Sequence, residues 1–251
     1  LHGGDHSMLW YALEEVSIID VETGDIDFIT REFDRNTRMP QWSKDGKSVF
    51  FILEDDMKSQ LIKYSLQDNS SKKVTPENMY LTGYSRSYFA INNEVIFQSS
   101  TSSIPSEIYH LKEDQINAIT SVNEQFIKNR LIGSTELISF QSFDGLTING
   151  MMIKPPNFDD SKKYPLILEI HGGPFSNYGF RFSAEMQLFA SKGYVVLYIN
   201  PRGSTSYGSE FANLIHHNYI LRMVLCIESS ELHQVDQTYI LCYDQMHLLF
   251  H

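Results

Sequence analysis

The residues most suggestive of chemistry in this sequence are His171-Gly172-Gly173-Pro174, which directly follow a short apolar run. Acyl transfer needs N–H donors aimed at the oxyanion that develops in the transition state. Two adjacent glycines let the backbone approach a scissile carbonyl closely, because neither residue carries a Cβ atom. The pair therefore predicts an oxyanion hole at Gly172 and Gly173, although a glycine turn that merely ends a strand has the same composition.

A serine nucleophile for such a site is expected on a G-x-S-x-G turn between a strand and a helix. We find no such turn in the sequence. The segment Gly83-Tyr84-Ser85-Arg86-Ser87 lacks the second glycine, and Gly203-Ser204-Thr205-Ser206-Tyr207-Gly208 has the wrong spacing. Both are interpreted as structural turns, so the chain is predicted to contain no catalytic triad.

We predict neither a metal site nor a cofactor. Cys226, His233, Cys242, His247 and His251 are the remaining candidate ligands, and the two cysteines, 16 residues apart, form no C-x-x-C pair. Two cysteines are too few for a disulfide framework and favour a reducing compartment, so a cytoplasmic location is expected.

The charge balance excludes some classes of partner. The chain has 20 Lys and Arg residues against 31 Asp and Glu residues, a formal net charge of -11. Such an acidic protein repels phosphate backbones and anionic lipids, so we expect neither nucleic-acid nor membrane binding, while oligomerisation is left open. The first residue is Leu1 and no signal peptide is recognisable, so a fragment of a longer protein is expected.

The elements that must position the two glycines alternate between strand and helix. Residues 165–170 and 194–199 are nearly continuous apolar runs, the composition of strands buried in a parallel sheet. Residues 182–191 between them predict a helix that stops at Lys192-Gly193. Residues 137–143 and 147–155 predict two strands around Asp144-Gly145. This βαβ pattern indicates an α/β domain.

The first half of the chain instead repeats at a fixed spacing. Predicted strands lie at residues 17–21, 48–53, 61–66, 94–98 and 107–111, with turn signals between them. Three equivalent pairs follow one another at 45-residue intervals: Ile29-Thr30, Val74-Thr75 and Ile119-Thr120. Short strands repeating at about 40–45 residues are typical of β-propeller blades. An isolated hairpin within a β-sandwich is the alternative.

The strongest single blade motif is the run MPQWSKDGKSVF at residues 39–50. It resembles the strand-turn-strand of TolB-like and peptidase propellers. In that motif Asp45-Gly46 makes the tight turn, and Trp42 is expected to pack between neighbouring blades.

Taken together, these motifs resemble the prolyl oligopeptidase family of serine peptidases. The resemblance lies in Asp144-Gly145, the HGGP element, Asn200-Pro201-Arg202-Gly203-Ser204 and Tyr207-Gly208, and it covers about residues 1–218. The acylaminoacyl-peptidase and dipeptidyl-peptidase-like branches are the most similar. The resemblance implies that the Gly173 N–H is the oxyanion donor, that Gly172 shapes the turn, and that His171 supports the loop and is not the catalytic base.

The same resemblance implies a multidomain fold. We expect the C-terminal blades of a β-propeller at residues 1–125 and the N-terminal part of an α/β-hydrolase domain at 131–219, followed by a tail at 220–251 without family resemblance. The tail contains no Gly, Pro or Lys and no clean periodicity, as an alternative exon or a shifted reading frame would produce. In the family, the strand at 166–170 lies between the strand at 194–199 and the strand that carries the nucleophile. We therefore expect one edge of it to be uncovered and the C-terminal half to be prone to aggregation.

The sequence thus predicts a fragment of a serine peptidase that acts on short peptides, inactive as this chain. A non-catalytic propeller module that binds peptides or proteins is the alternative. A lipase or esterase shares the HGG loop but leaves the repeat unexplained.

Overall fold

The computed structural model describes residues 2–3, 12–83, 88–91, 94–172, 175–216 and 235–244, without the side chains of 2–3, 170 and 235–244. The chain divides into two compact units. Unit 1 contains Leu1–Glu124, Gly179–Phe182 and Thr205–Glu210, and unit 2 contains Gln125–Tyr178, Ser183–Ser204 and Phe211–His251. The boundaries expected from the sequence, at 125, 131 and 219, stay a prediction.

Unit 1 is built from antiparallel sheets. Among the described residues, strands β1, β2 and β3 form the first sheet, and strands β4 to β7 form the second sheet in chain order. Strands β8 to β12 form the third sheet. In this third sheet β8, β9 and β11 pair with β10, and β12 pairs with β11. The strands are β1 His2–Gly3, β2 Glu15–Ile19, β3 Ile26–Phe28, β4 Thr37–Trp42, β5 Ser48–Asp55, β6 Lys58–Ser65, β7 Ser70–Lys73, β8 Tyr80–Leu81, β9 Tyr88–Ile91, β10 Glu94–Ser100, β11 Glu107–Lys112 and β12 Gln115–Ala118. A short 3-10 helix, Arg31–Phe33, follows β3, and helix α1 spans Glu124–Lys128.

Strand β5 lies between two hydrophobic cores. Phe50 and Ile52 pack with residues of β6 and the third sheet. Val49, Phe51 and Leu53 pack on the opposite face, with residues that include Val16 of β2. Because successive side chains of a strand point to opposite faces, burial on both faces requires the unbroken apolar run seen at this position.

The turn between β4 and β5 forms as the sequence predicts. Gly46 has a φ of +69°, which glycine adopts at little cost, and its N–H donates to the Ser43 carbonyl across 3.0 Å. The expectation for Trp42 is wrong. Its side chain is 54% exposed, because Trp42 is the last residue of β4 and lies at the turn end of that hairpin and not within either core.

The 45-residue repeat corresponds to a hydrogen-bond pattern that recurs in all three described sheets of unit 1, here called the threonine closure. After β3, β7 and β12, the apolar residue of each repeated pair donates its N–H to a strand carbonyl, and the threonine hydroxyl accepts from the N–H of that strand. The N–H to Oγ1 distances are 2.8 Å for Val16 to Thr30, 3.1 Å for Leu61 to Thr75 and 2.9 Å for Ile108 to Thr120. The sequence pairs therefore mark equivalent hydrogen bonds.

Unit 2 contains a mixed sheet in the order β13-β14-β16-β15-β17. Strands β15, β16 and β17 are parallel, whereas β13, β14 and β16 pair antiparallel. The elements are β13 Ser134–Gln141, β14 Thr147–Lys154, β15 Tyr164–Ile170, α2 Ala184–Ser191, β16 Val195–Ile199, α3 Ser209–Asn213 and β17 Val235–Asp244. Its core contains Ile148, Leu166, Leu168, Val195, Leu197 and Ile199.

Helix α2 begins two residues later than the sequence predicts and ends at the predicted residue, Ser191. Ser183 caps its first turn by accepting a hydrogen bond from the Met186 N–H, and the Gly193 N–H closes its last turn by donating to the Ala190 carbonyl at 2.9 Å. Met186 and Ala190, four residues apart and therefore on one face of the helix, are buried.

The expectation that one edge of β15 is uncovered is wrong. Strand β17, which comes from the tail, pairs in parallel with β15, from Leu166 opposite Ile240 to Ile170 opposite Asp244. The hydrogen bonds of a parallel pair join main-chain groups, so they require no alternating side-chain pattern. The absence of periodicity in the tail therefore did not exclude a strand.

Candidate active site

The predicted oxyanion hole begins where β15 ends. His171 and Gly172 directly follow this strand, at the carboxyl edge of the parallel part of the sheet, where ligand sites of open α/β sheets lie. Gly172 is half-buried, and Gly173 lies outside the described residues. The assignment of the Gly173 N–H as an oxyanion donor therefore stays a prediction.

The imidazole of His171 is enclosed, and both of its ring nitrogens contact protein atoms. Its Nε2 atom lies 3.0 Å from Ser204 Oγ, and its Nδ1 atom lies 3.1 Å from the Gly172 carbonyl oxygen. Burial lowers the pKa of His171, outweighing the opposing effect of its hydrogen bonds with Gly172 and Asn200. A neutral, buried imidazole with these contacts is suited to holding the loop.

The other end of the loop, at Tyr178, is held by buried polar groups as well. The Tyr178 N–H donates to Asn200 Oδ1 at 2.7 Å, and Asn200 Nδ2 donates to the Tyr178 carbonyl at 3.0 Å. The Tyr178 hydroxyl donates to Glu169 Oε1 at 3.1 Å. The segment 171–178, here called the 171–178 loop, is therefore held by buried hydrogen bonds at its two end residues, His171 and Tyr178.

Arg202 fixes the segment that follows β16. Its guanidinium is 1% exposed, forms an ion pair with Asp144, donates to Ser142 Oγ at 3.1 Å and lies 5.2 Å from the ring centre of Phe143. Burial alone would raise the pKa of Asp144, but the hydrogen bond from the Leu146 N–H and the charge of Arg202 lower it overall. These contacts bind the segment to the turn between β13 and β14.

The serines that the sequence assigns to structural turns are enclosed where the structure describes them. Ser204 has no exposed surface and donates its hydroxyl to the Pro201 carbonyl at 2.6 Å. Ser206, in unit 1, is also fully buried, and its Oγ accepts from the Met57 N–H at 3.0 Å. Neither hydroxyl is accessible to a substrate. Ser85 and Ser87 lie outside the described residues.

The structure does not describe the side chains of the candidate metal ligands, so the prediction made for them is not tested. Cys242 belongs to β17, whose side chains are not described, and Cys226, His233, His247 and His251 lie outside the described residues. Within the described ranges, no three His, Cys, Asp or Glu side chains converge as they do around a metal ion. The helices of the described part of the chain include none with the length and apolarity to traverse a lipid bilayer.

Sequence reasoning gave no role to Glu169, Tyr178 or Asn200. Glu169 has a detectable signal, because it is the one charged residue in the apolar run PLILEI and is 2% exposed. Asn200 directly follows the buried strand β16, at the same carboxyl edge as His171. The contact of Tyr178 with Asn200 joins residues 22 positions apart and has no local signature.

Strand β17 occupies the position beside β15 that the family resemblance gives to the nucleophile-bearing strand. The residues that follow it in the sequence, QMHLLFH at 245–251, contain no serine and no G-x-S-x-G turn. The sequence thus offers no serine nucleophile at the end of this strand.

Comparison with known proteins finds sequence similarity to peptidases. The model of the prolyl oligopeptidase family matches residues 180–221. An uncharacterised peptidase of Bacillus subtilis, YuxL, is 34% identical over 181 residues, 72% of this chain and 27% of that protein. Dipeptidyl-peptidase 5 of Aspergillus fumigatus is 32% identical over 200 residues, 77% of this chain and 28% of that protein.

Solved structures agree with these matches. Acylaminoacyl peptidase of Pyrococcus horikoshii has a TM-score of 0.79 and 26% identity, and the alignment covers 92% of this chain and 36% of that chain. An acylaminoacyl peptidase in complex with Z-Gly-Gly-Phe-chloromethyl ketone has a TM-score of 0.80, the same identity and the same coverage. The chain thus spans between a quarter and two fifths of the length of these relatives. By this similarity in sequence and structure, it belongs to the prolyl oligopeptidase family.

Proposed function

We propose that the chain is part of a serine peptidase that hydrolyses peptide bonds of short peptides, with the 171–178 loop as its oxyanion loop. The observation that carries this proposal is the position of His171 and Gly172 at the carboxyl end of β15, which lies between the parallel strands β16 and β17. A backbone N–H at the end of a buried strand is rigid, and a rigid donor needs no reorganisation when charge develops on a carbonyl oxygen.

We also propose that the second and third sheets of unit 1 are propeller blades. Strands β4 to β7 follow one another in chain order, as the strands of a blade do, and the threonine closures recur at the same points of the repeat. In this proposal the propeller restricts access to short peptides.

The chain itself is proposed to be inactive, because an oxyanion donor alone cannot generate an attacking alkoxide. We propose that residues 171–178 should function when transplanted into Pyrococcus horikoshii acylaminoacyl peptidase in place of the aligned segment. We expect a kcat within about tenfold of that enzyme, since the donor geometry is retained. A Gly173→Pro variant of the transplant lacks that N–H and should lose about 100- to 1,000-fold in kcat.

The matched control is the same enzyme with its own segment reinserted, assayed on an acylaminoacyl substrate alongside this chain. An inactive transplant, or a Gly173→Pro variant as active as the transplant, would contradict the proposal. Labelling of this chain at a serine by a fluorophosphonate probe would contradict its inactivity.

A non-catalytic peptide-binding module is the second candidate. A cavity of about 390 Å³ in unit 1, lined mainly by apolar side chains of β9, β10 and β11, favours it. Saturable binding of short peptides by this chain, combined with an inactive transplant, would favour that function over the first.

A further inference from the structure

The two ends of the 171–178 loop contact one short segment of the chain. His171 at the start contacts Ser204, and Tyr178 at the end contacts Asn200. Asn200 and Ser204 both have no exposed surface, and they flank the buried Arg202. The two end residues are held firmly, because breaking either set of hydrogen bonds leaves unpaired polar groups in the interior.

Asn200 makes a paired contact that few side chains can replace. Its Oδ1 accepts from the Tyr178 N–H and its Nδ2 donates to the Tyr178 carbonyl, so the amide pairs with the backbone as a neighbouring strand would. Its own N–H donates to the Asn149 carbonyl of β14 at 2.9 Å. An aspartate of the same shape would place a carboxylate oxygen against the Tyr178 carbonyl, and two acceptors repel each other.

Ser204 is one of two acceptors that compete for the ring proton of His171. The 2.6 Å contact between Ser204 Oγ and the Pro201 carbonyl requires a hydrogen between two oxygen atoms, and only the Ser204 hydroxyl can supply it. The Ser204 oxygen can then only accept from Nε2 of His171, just as the Gly172 carbonyl can only accept from Nδ1, so the single proton of the neutral ring serves one of the two contacts. We expect it on Nε2, because Ser204 is fully buried whereas Gly172 is half-buried.

The rings of the two end residues also touch each other. The His171 and Tyr178 rings meet edge to face with their centres 5.0 Å apart, and Tyr178 meets Tyr198 of β16 in the same way at 5.2 Å. The two ends of the loop are therefore packed against each other as well as hydrogen-bonded to the 200–204 segment.

We propose that Asn200 and Ser204 are positioning residues that hold Tyr178 and His171, the two ends of the 171–178 loop, and with His171 the adjoining Gly172. This inference rests on the proposed function, since it assigns the loop its role in peptide hydrolysis. The two residues act through Tyr178 and His171 and touch no substrate.

The test is nuclear magnetic resonance of the full chain, which needs no substrate. In the unsubstituted chain, the ring nitrogens of His171 should show the tautomer protonated at Nε2. In Ser204→Ala the Nε2–H loses its acceptor, so the ring should switch to the tautomer protonated at Nδ1, which donates to the Gly172 carbonyl. In Asn200→Asp, amide exchange at Phe175, Asn177 and Tyr178 should become at least about tenfold faster.

The matched controls are Ser161→Ala and Asn157→Asp, the same chemical changes at exposed positions of unit 2. Both should leave the His171 tautomer and the loop exchange unchanged. An Nδ1-protonated ring in the unsubstituted chain would overturn the proposal even if a variant failed to fold. The proposal would also be overturned if the folded Ser204→Ala chain kept the original His171 tautomer and the folded Asn200→Asp chain kept amide exchange rates within about twofold of the original. A fixed loop combined with an inactive transplant would instead refute the peptidase function and leave the positioning role standing.

Discussion

At the scale of single residues, the surroundings of His171 distinguish a structural role of this histidine from the role of a catalytic base. A catalytic base must reach a substrate proton and take it up near neutral pH. His171 is 5% exposed, both of its ring nitrogens face protein atoms, and its pKa is lowered by burial. The structure therefore supports the interpretation that this histidine holds the loop and does not exchange protons with a substrate.

The lowered pKa of His171 predicts a pH dependence of stability. In the unfolded chain the ring takes up a proton near its ordinary pKa of 6.5, whereas the folded chain resists protonation. The unfolded state then binds more protons, so the stability of unit 2 should be complete above pH 6.5 and should fall as the pH drops through the folded pKa. Urea titrations followed by the amide signals of unit 2 at several pH values measure this fall.

The variant His171→Gln should remove this part of the pH dependence, because glutamine does not titrate. The same substitution at the exposed His216 is the matched control. An identical pH dependence in His171→Gln and in the unsubstituted chain would contradict a buried, neutral His171.

At the scale of elements, the threonine closures connect the sequence repeat to strand pairing. Thr75 is 4% exposed, and its hydroxyl is the acceptor for the Leu61 N–H in the core strand β6. Thr120 performs the same task for Ile108 but is half-buried. An acceptor lost in the interior leaves an N–H without a partner, whereas at the surface water replaces it.

Removing the hydroxyl of Thr75 should therefore destabilise unit 1. The variant Thr75→Val keeps the shape of the side chain and should lower the free energy of unfolding by about 1–3 kcal/mol, as is typical for a buried unpaired donor. Thr75→Ser retains the acceptor and should cost less. Denaturant titrations followed by intrinsic fluorescence measure both, and equal losses for valine and serine would show that the hydrogen bond is unimportant.

At the scale of the whole molecule, β17 decides whether the sheet of unit 2 is closed on one side. Without it, the main-chain groups of β15 that face β17 would lose their partners, and an unpaired parallel strand is an aggregation site. With it, β15 has a parallel strand on each side. The tail thus has a structural role that its composition did not indicate.

A chain ending at residue 219 should consequently aggregate more readily and bind more of an apolar dye than the full chain. Deletion of residues 245–251 alone leaves β17 intact and is the control. Light scattering and dye fluorescence at matched concentrations compare the three chains. A monomeric 1–219 chain with the dye binding of the full chain would show that β17 does not protect the edge of β15.

The sequence by itself determined the local features: the apolar strands β5, β10, β15 and β16, the capped helix α2, the Asp45-Gly46 turn and the HGG element. Each of these depends on residues that are neighbours in the chain, so periodicity, capping and turn chemistry are sufficient to predict them. Only the tertiary structure decided the exposure of Trp42, the pairing of β17 with β15, and the contacts of His171 with Ser204 and of Tyr178 with Asn200. These features join distant segments through main-chain groups or single buried hydrogen bonds, which leave no repeating pattern in the order of the residues.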